Sequence, residues 1–432
     1  MIAFILTLFS AYPLIFLSLS SSASVTYVPL QMFYFNHGEL GYSFAISSDG
    51  KTLVIRNLAY DNGSFSFYSF DENIYEFVQQ GPGLFGIDFN ASSIEQVKTV
   101  AINGNGSTVV FGNPGVDDYL GAAWIFTKNS SGSWNQQGLK LVGSGGHDDY
   151  GRASHQGSSV SIDFYGNTIV SCGVNDDYYT GAAWIFSRNT SNGQWTQQSP
   201  KLIGVNYTHA YFGSSSALSA NGSVAVISSK YGSVPPIFGS LYIYFRDQIL
   251  GSWILQSVIN SPYLRHQFLY VHYGPSVAVS ADAETILFGL PWDDYYLGAA
   301  LVYAYNASAS DWYFQTKLRG PFLNGLYSIF EARSVSLSSD GNTALIGGPG
   351  NNHSIGAAWV FTRDKFGNWS EVGEPLIPDA LGSANIGAAV SLSGNATFAV
   401  VGGPYDNETG AIWVFHTEQV TLEPTASPTV LK

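Results

Sequence analysis

Three short segments of this chain place acids directly beside aromatic rings: Asp117-Asp118-Tyr119, Asp176-Asp177-Tyr178-Tyr179 and Asp293-Asp294-Tyr295-Tyr296, the last preceded by Trp292. Carboxylates accept hydrogen bonds from sugar hydroxyls or attract cations, and aromatic rings stack on apolar sugar faces. The candidate ligand-binding residues are therefore Asp117, Asp118, Tyr119, Asp176, Asp177, Tyr178, Trp292, Asp293, Asp294 and Tyr295. A plainer reading makes each Asp a turn-closing acceptor for backbone amides and each Tyr a packing ring. Carboxylates roughly 5 to 10 Å apart would also suit glycoside hydrolysis. A catalytic pair, however, needs unlike environments that separate acid from base, whereas one pair repeated three times resembles architecture.

Other chemistries are not written here. The eight histidines, at 37, 147, 155, 209, 266, 272, 353 and 416, show no zinc-like spacing. There is no Gly-x-Ser-x-Gly elbow, His-Glu-x-x-His helix or phosphate-cradling glycine loop. Cys172 stands alone, so no intramolecular disulfide forms, and it reads as a small buried hydrophobe. With 31 acidic against 17 basic residues and no basic run, the chain lacks what nucleic acid requires. No metal, cofactor or catalytic residue is expected.

The elements that must hold these segments come from an internal repeat. The stretch SVSLSSDGNTALIGGPGNNHSIGAAWVF, ending at Phe361, recurs in related form ending at Phe126, Phe186 and, more weakly, Tyr303. Its first turn recurs at Gly50, Gly106, Gly166, Gly222, Ala283, Gly341 and Ala396, spaced 55 to 61 residues apart. Each of these seven copies reads as four short strands. Nine of the ten tryptophans keep the register, Trp124, Trp184, Trp359 and Trp413 in the third strand and Trp134, Trp195, Trp253, Trp312 and Trp369 opening the fourth. Trp292 departs from it, which marks it as the expected exposed anchor.

Four-stranded units of this size bury both faces by stacking radially. The expected fold is all-β: a seven-bladed β-propeller of four-stranded antiparallel blades. The seventh copy stops after its third strand near Phe415, so the orphan segment Val28 to Phe35 is expected to close the ring as an outer strand. In such a meander the second-to-third-strand turns share a face with the connections between blades. That face gathers the Asp-Asp-Tyr segments with His147 to Tyr150, His209 to Phe212, Arg265, His266, His272 and Tyr273.

From Gly38 to His416 the copies resemble FG-GAP repeats of the integrin-α N-terminal type. The motif appears as Phe212-Gly213, Leu40-Gly41 and Ile386-Gly387 before the first strand and as Gly347-Gly348-Pro349 and Gly402-Gly403-Pro404 after the second. A glycine opens the third strand at Gly121, Gly181, Gly239, Gly298, Gly356 and Gly410. The resemblance implies a seven-bladed head that binds partners. The family's Asp-x-Asp-x-Asp-Gly calcium loops are absent, since the corresponding turns read Ser48-Asp49-Gly50 and Ser339-Asp340-Gly341.

Residues 1–23 form an apolar run with Ser21 and Ala23 placed for cleavage, as in a signal peptide, an uncleaved anchor being the alternative. Residues 24–417 are the propeller, and 418–432 a Ser/Thr/Pro-rich tail. Twelve Asn-x-Ser/Thr sequons are candidate glycosylation sites: Asn62, Asn90, Asn105, Asn129, Asn189, Asn206, Asn221, Asn306, Asn352, Asn368, Asn395 and Asn407. Together these point to a secreted or cell-surface, monomeric head. Its expected function is binding or adhesion to an extracellular protein or glycan, without catalysis. The alternative is a carbohydrate-active propeller enzyme, a glycosidase or lyase using the loop carboxylates.

Overall fold

The computed structural model describes residues 24–34, 40–57, 64–88, 99–146, 153–204, 209–232, 238–262, 274–321 and 331–420. The chain folds as a seven-bladed propeller, each blade a four-stranded antiparallel sheet. Blade six shows the pattern: Ser334–Leu337 lines the axis, followed outward by Thr343–Gly348, Ala357–Arg363 and Trp369–Glu371. Second strands such as Thr168–Gly173 and Thr285–Leu290 are buried along their whole length. Neighbouring blades cover both of their faces, which is why they read as apolar runs rather than alternations.

The hairpin between first and second strands is built by side chains. Ser47 Oγ donates to Asp49 Oδ1 (2.5 Å), Asp49 Oδ1 accepts from Lys51 N (2.9 Å), and Ser47 Oγ accepts from Thr52 N (2.9 Å). Ser280 with Asp282 and Ser338 with Asp340 repeat it. The acids in these turns thus serve the backbone.

Toward that hairpin end of the axis, the first strands present Ile46, Ile102, Ile162, Leu218, Val279, Leu337 and Leu392, one aliphatic side chain per blade. Beside them backbone bonds link blade to blade, from Gly104 N to Phe164 O (2.9 Å), Phe164 N to Ala220 O (3.1 Å) and onward to Ser339 N and Gly394 O (2.8 Å).

Third-strand tryptophans lock blades together. Trp124, Trp184 and Trp359 are fully buried, and each lies across a glycine of the preceding blade: Gly86, Gly143 and Gly320. A Cβ on any of these glycines would come within 2.4 Å of the indole, so no other residue fits. Burying roughly 200 Å² per ring contributes about 5 kcal/mol of transfer free energy.

The ring closes as the sequence requires. Ser24–Tyr34 pairs antiparallel with Ala411–Val420, from Ser24 opposite Val420 to Tyr34 opposite Ala411, and supplies the outer strand of blade seven. Gln31 fastens this strand to blade one, accepting from Phe77 N (2.7 Å) and donating to Phe77 O (3.1 Å). The last strand runs to Val420, past the expected boundary at 417. Residues 1–23 and 421–432, with the leader and most of the tail, lie outside the described residues. Among the described residues no helix is long and apolar enough to cross a membrane.

Candidate functional site

The turns between second and third strands, together with the blade connections, form one face of the ring, here the loop face. Their backbones show that the Asp-Asp-Tyr segments are not equivalent. The glycine opening the third strand donates to Val116 O in blade two, Asp176 O in blade three, Asp293 O in blade five and Asn351 O in blade six. Left-handed residues follow each acceptor: Asp117, Asp118 and Tyr119; Asp177, Tyr178 and Tyr179; Asn352, His353 and Ser354. Asp117 therefore matches Asp177 and Asp294, and blade two places Val116 where the others place an acid or amide.

The first acid of the pair points inward, which corrects the reading of Asp176 and Asp293 as ligand-binding residues. Both are fully buried. Asp176 pairs with Lys201, and Asp293 pairs with Lys317 and with Arg319 (3.0 Å), whose other nitrogen reaches Asp294 (3.0 Å). Buried carboxylates persist only when so compensated. Trp292 is likewise corrected as an exposed anchor. It is 6% exposed, in a cluster with Leu241, Leu290 and Leu301 between blades four and five. Blade five carries Leu301 where blades two, three, six and seven have the third-strand tryptophan, and Trp292 fills apolar space in the same interface. Asp117, Asp118, Tyr119, Asp177 and Asp294 are exposed and Tyr178 is half-buried.

The residues this face does bring together lie on blades two to four. A cavity of about 250 Å³ is lined by Asp118, Tyr119, Ala153, His155, Asn175, Tyr178 and Tyr179. His155 N donates to Tyr119 O (2.9 Å), and Tyr211 N to Tyr179 O (2.8 Å). The same backbone contact thus stacks His155 on Tyr119 (5.2 Å between centroids) and sets Tyr211 against Tyr179 (5.3 Å). His209 stacks on Tyr179 (5.6 Å), and Tyr211 meets Tyr231 (5.9 Å). Lys230 lies 5.1 Å from the Tyr211 ring and 5.6 Å from the Tyr231 ring.

Burial holds Lys230 below the usual lysine range, and burial with the neighbouring tyrosines pushes Tyr211 up. A larger cavity of about 640 Å³ lies between blades six and seven, lined by Leu381, Ser383, Asn385, Tyr405, Asn407 and Glu408. It has one carboxylate and no imidazole or amine, so we place the site on blades two to four.

Glu331 escaped the sequence reading. It is 1% exposed, accepts a hydrogen bond from Gly320 N, and desolvation raises its carboxyl to about 8 against the pull of that bond and of Arg319. Gln156 occupies the same place in blade three, accepting from Gly143 N (2.6 Å). His155, Asn175, Tyr179 and Lys230 were also missed as site residues. The signal available was the match of His155 to Tyr211 one position before the first strand. Residues 147 to 150, Arg265, His266, His272, Tyr273 and the side chain of Tyr295 lie outside the described residues.

No protein-family model matches this chain, and neither does any curated protein. Solved structures do. A protein from Bacteroides uniformis assigned as a 6-phosphogluconolactonase shares 14% identity at a TM-score of 0.54, over 78% of this chain and 85% of its own. The periplasmic gluconolactonase of Pseudomonas aeruginosa shares 13% at 0.51, over 78% and 85%. Hydrazine synthase of Kuenenia stuttgartiensis shares 13% at 0.54, over 91% and 100%. What is shared at these identities is the propeller fold. The neighbours carry the names of enzymes, two of them lactonases, and this overturns the expectation of an adhesion module without catalysis.

Proposed function

We propose that this chain is a carbohydrate-active enzyme that hydrolyses a sugar lactone on its loop face, across blades two to four. The observation that carries the reading is the run of rings from Tyr119 to Tyr231, with His155 and His209 among them, beside a cavity of about 250 Å³. Partly exposed phenol rings suit the apolar face of a sugar ring, and imidazole is the side chain that exchanges a proton near neutral pH. In this reading one imidazole takes a proton from water as its oxygen adds to the lactone carbonyl. The oxyanion collapses, the ring C–O bond breaks, and the imidazolium returns the proton to the departing ring oxygen, leaving a hydroxy acid. Lys230, when protonated, offers charge to the developing oxyanion.

Glycoside cleavage fits these residues less well. It needs two carboxylates about the bond, at roughly 5 to 10 Å, whereas Asp176 and Asp293 are held in buried ion pairs and Asp118 is the one carboxylate lining the cavity. The named activities of two structural neighbours support the lactone. The FG-GAP resemblance enters this proposal as a description of the blade repeat, supported by the recurring glycines. An extracellular position and N-glycosylation belong to it too, supported by the apolar leader and the sequons.

The test is proton release from glucono-lactone and its 6-phosphate. One of the two variants His155→Ala and His209→Ala is expected to lower kcat by about 100-fold or more at unchanged melting temperature, as loss of a general base does, and so is the double variant. A wild-type chain no faster than spontaneous hydrolysis, or a double variant as fast as wild type, would defeat the reading.

A further inference from the structure

The hairpin face, opposite the loop face, carries the turns between first and second strands and between third and fourth strands. At twelve of these turns an Asn or Asp side chain accepts the backbone N–H two residues on. Six are Asp: Asp49, Asp71, Asp247, Asp282, Asp340 and Asp364. Their acceptor bonds go to Lys51, Asn73, Ile249, Glu284, Asn342 and Phe366, none of which has a hydroxyl. Six are Asn: Asn105, Asn129, Asn189, Asn221, Asn306 and Asn395. Their bonds go to Ser107, Ser131, Ser191, Ser223, Ser308 and Thr397, every one a hydroxyl residue; the exception is Asn192, a second acceptor in the Asn189 turn, whose bond goes to Gln194 N (2.9 Å) and which stands outside any sequon.

The turn does not demand this coupling. It uses the N–H at that position, and either Asn or Asp supplies the acceptor oxygen. The hydroxyl two residues after Asn is what N-glycosylation requires. Each of the six asparagines is exposed, and its Oδ1 holds the turn while its Nδ2 makes no hydrogen bond among the described residues. By contrast Asn368 Nδ2 is held by Asp364 Oδ2 (3.0 Å), and Asn352, on the loop face, is half-buried in a left-handed turn.

We propose that the hairpin face is an N-glycosylated surface, modified at Asn105, Asn129, Asn189, Asn221, Asn306 and Asn395. The donor is a lipid-diphosphate-linked oligosaccharide. The bond from its reducing-end carbon to the diphosphate oxygen breaks, a bond from that carbon to Nδ2 forms, the lipid diphosphate leaves, and the amide proton passes to base. A glycan on Nδ2 leaves the turn-holding Oδ1 bond intact. The proposal rests on the secretory placement in the functional reading above, and it reserves the loop face for substrate.

The full chain, secreted from a eukaryotic cell, is treated with peptide-N-glycosidase in heavy-oxygen water, and labelled Asn-to-Asp conversion is mapped by mass spectrometry. Conversion at most of the six is expected; conversion at half of them or fewer overturns the proposal. Replacing Ser107, Ser131, Ser191, Ser223, Ser308 and Thr397 by Ala removes these six sequons yet keeps each N–H, so loss of the label at the six asparagines with retained folding confirms attachment there. Label persisting at those asparagines overturns it. Lactone hydrolysis, measured on the same samples, is expected to be unchanged, and its absence from wild type would count against the enzymatic reading alone.

Discussion

Blades three and five carry the same Asp-Asp-Tyr-Tyr segment in the same turn, and among the described residues it is the blade-three segment that lines a cavity. The difference lies in the residues around the turn. Ahead of it, blade three has half-buried Asn175, which lines the cavity, and blade five has buried Trp292, which fills the interface with blade four. Beneath it, blade three has the apolar Phe212 and one cation, Lys201, whereas blade five has Glu331 and two cations, Lys317 and Arg319. A repeated segment is therefore a scaffold, and function is set by the non-repeated residues that touch it.

The sharpest way to break this comparison is to truncate the residue ahead of each turn. Trp292→Ala is expected to lose about 4 kcal/mol of stability, the usual cost of emptying a buried indole. Asn175→Ala is expected to lose under about 1 kcal/mol, as polar residues at a partly exposed site do. Denaturant unfolding of the two variants decides it. Equal losses would mean that Trp292 is not the packing element described here.

Charge beneath the turn gives the next effect. Glu331 has a folded-state carboxyl raised from the ordinary 4.5 to about 8, chiefly by desolvation, so the folded protein binds its proton more tightly than the unfolded chain. That contribution is fully present below about pH 4.5 and is lost as pH rises through about 8, by up to roughly 1.4 kcal/mol per unit between them. Glu331→Gln, which copies Gln156 beneath the turn of blade two, should match wild type at pH 5 and exceed it by on the order of 3 kcal/mol at pH 9. Thermal unfolding across that range tests it, and parallel pH curves for the two proteins would sink the assignment.

The propeller was legible because its signals are local and repeated: glycine turns, tryptophan register, and a missing outer strand that Ser24–Tyr34 supplies. The site was legible only as a face. Asp176 and Asp177 are adjacent letters, yet one is buried and the other exposed, because a left-handed residue begins at Asp177 and reverses the chain. The partners Lys201, Lys317 and Arg319 lie some 25 residues further on, across an outer strand, and nothing in the short segment announces them. His155 and Lys230 were illegible for the same reason. Their meaning comes from the rings they touch in other segments.

The smallest effect is also the most discriminating about register. Lys140 in blade two and Lys201 in blade three both follow an outer strand, and both reach an acid of the turn. Because blade two places Val116 at the buried position, Lys140 meets Asp117, which is 43% exposed, whereas Lys201 meets the fully buried Asp176. Lys201→Ala leaves a buried carboxylate without its cation and is expected to lose about 3 kcal/mol. Lys140→Ala breaks a solvated pair and is expected to lose under about 1 kcal/mol, with the remainder fading as salt is added. Were the Asp-Asp pairs of the two blades in the same register, the two variants would lose equal stability, and adding salt would affect neither.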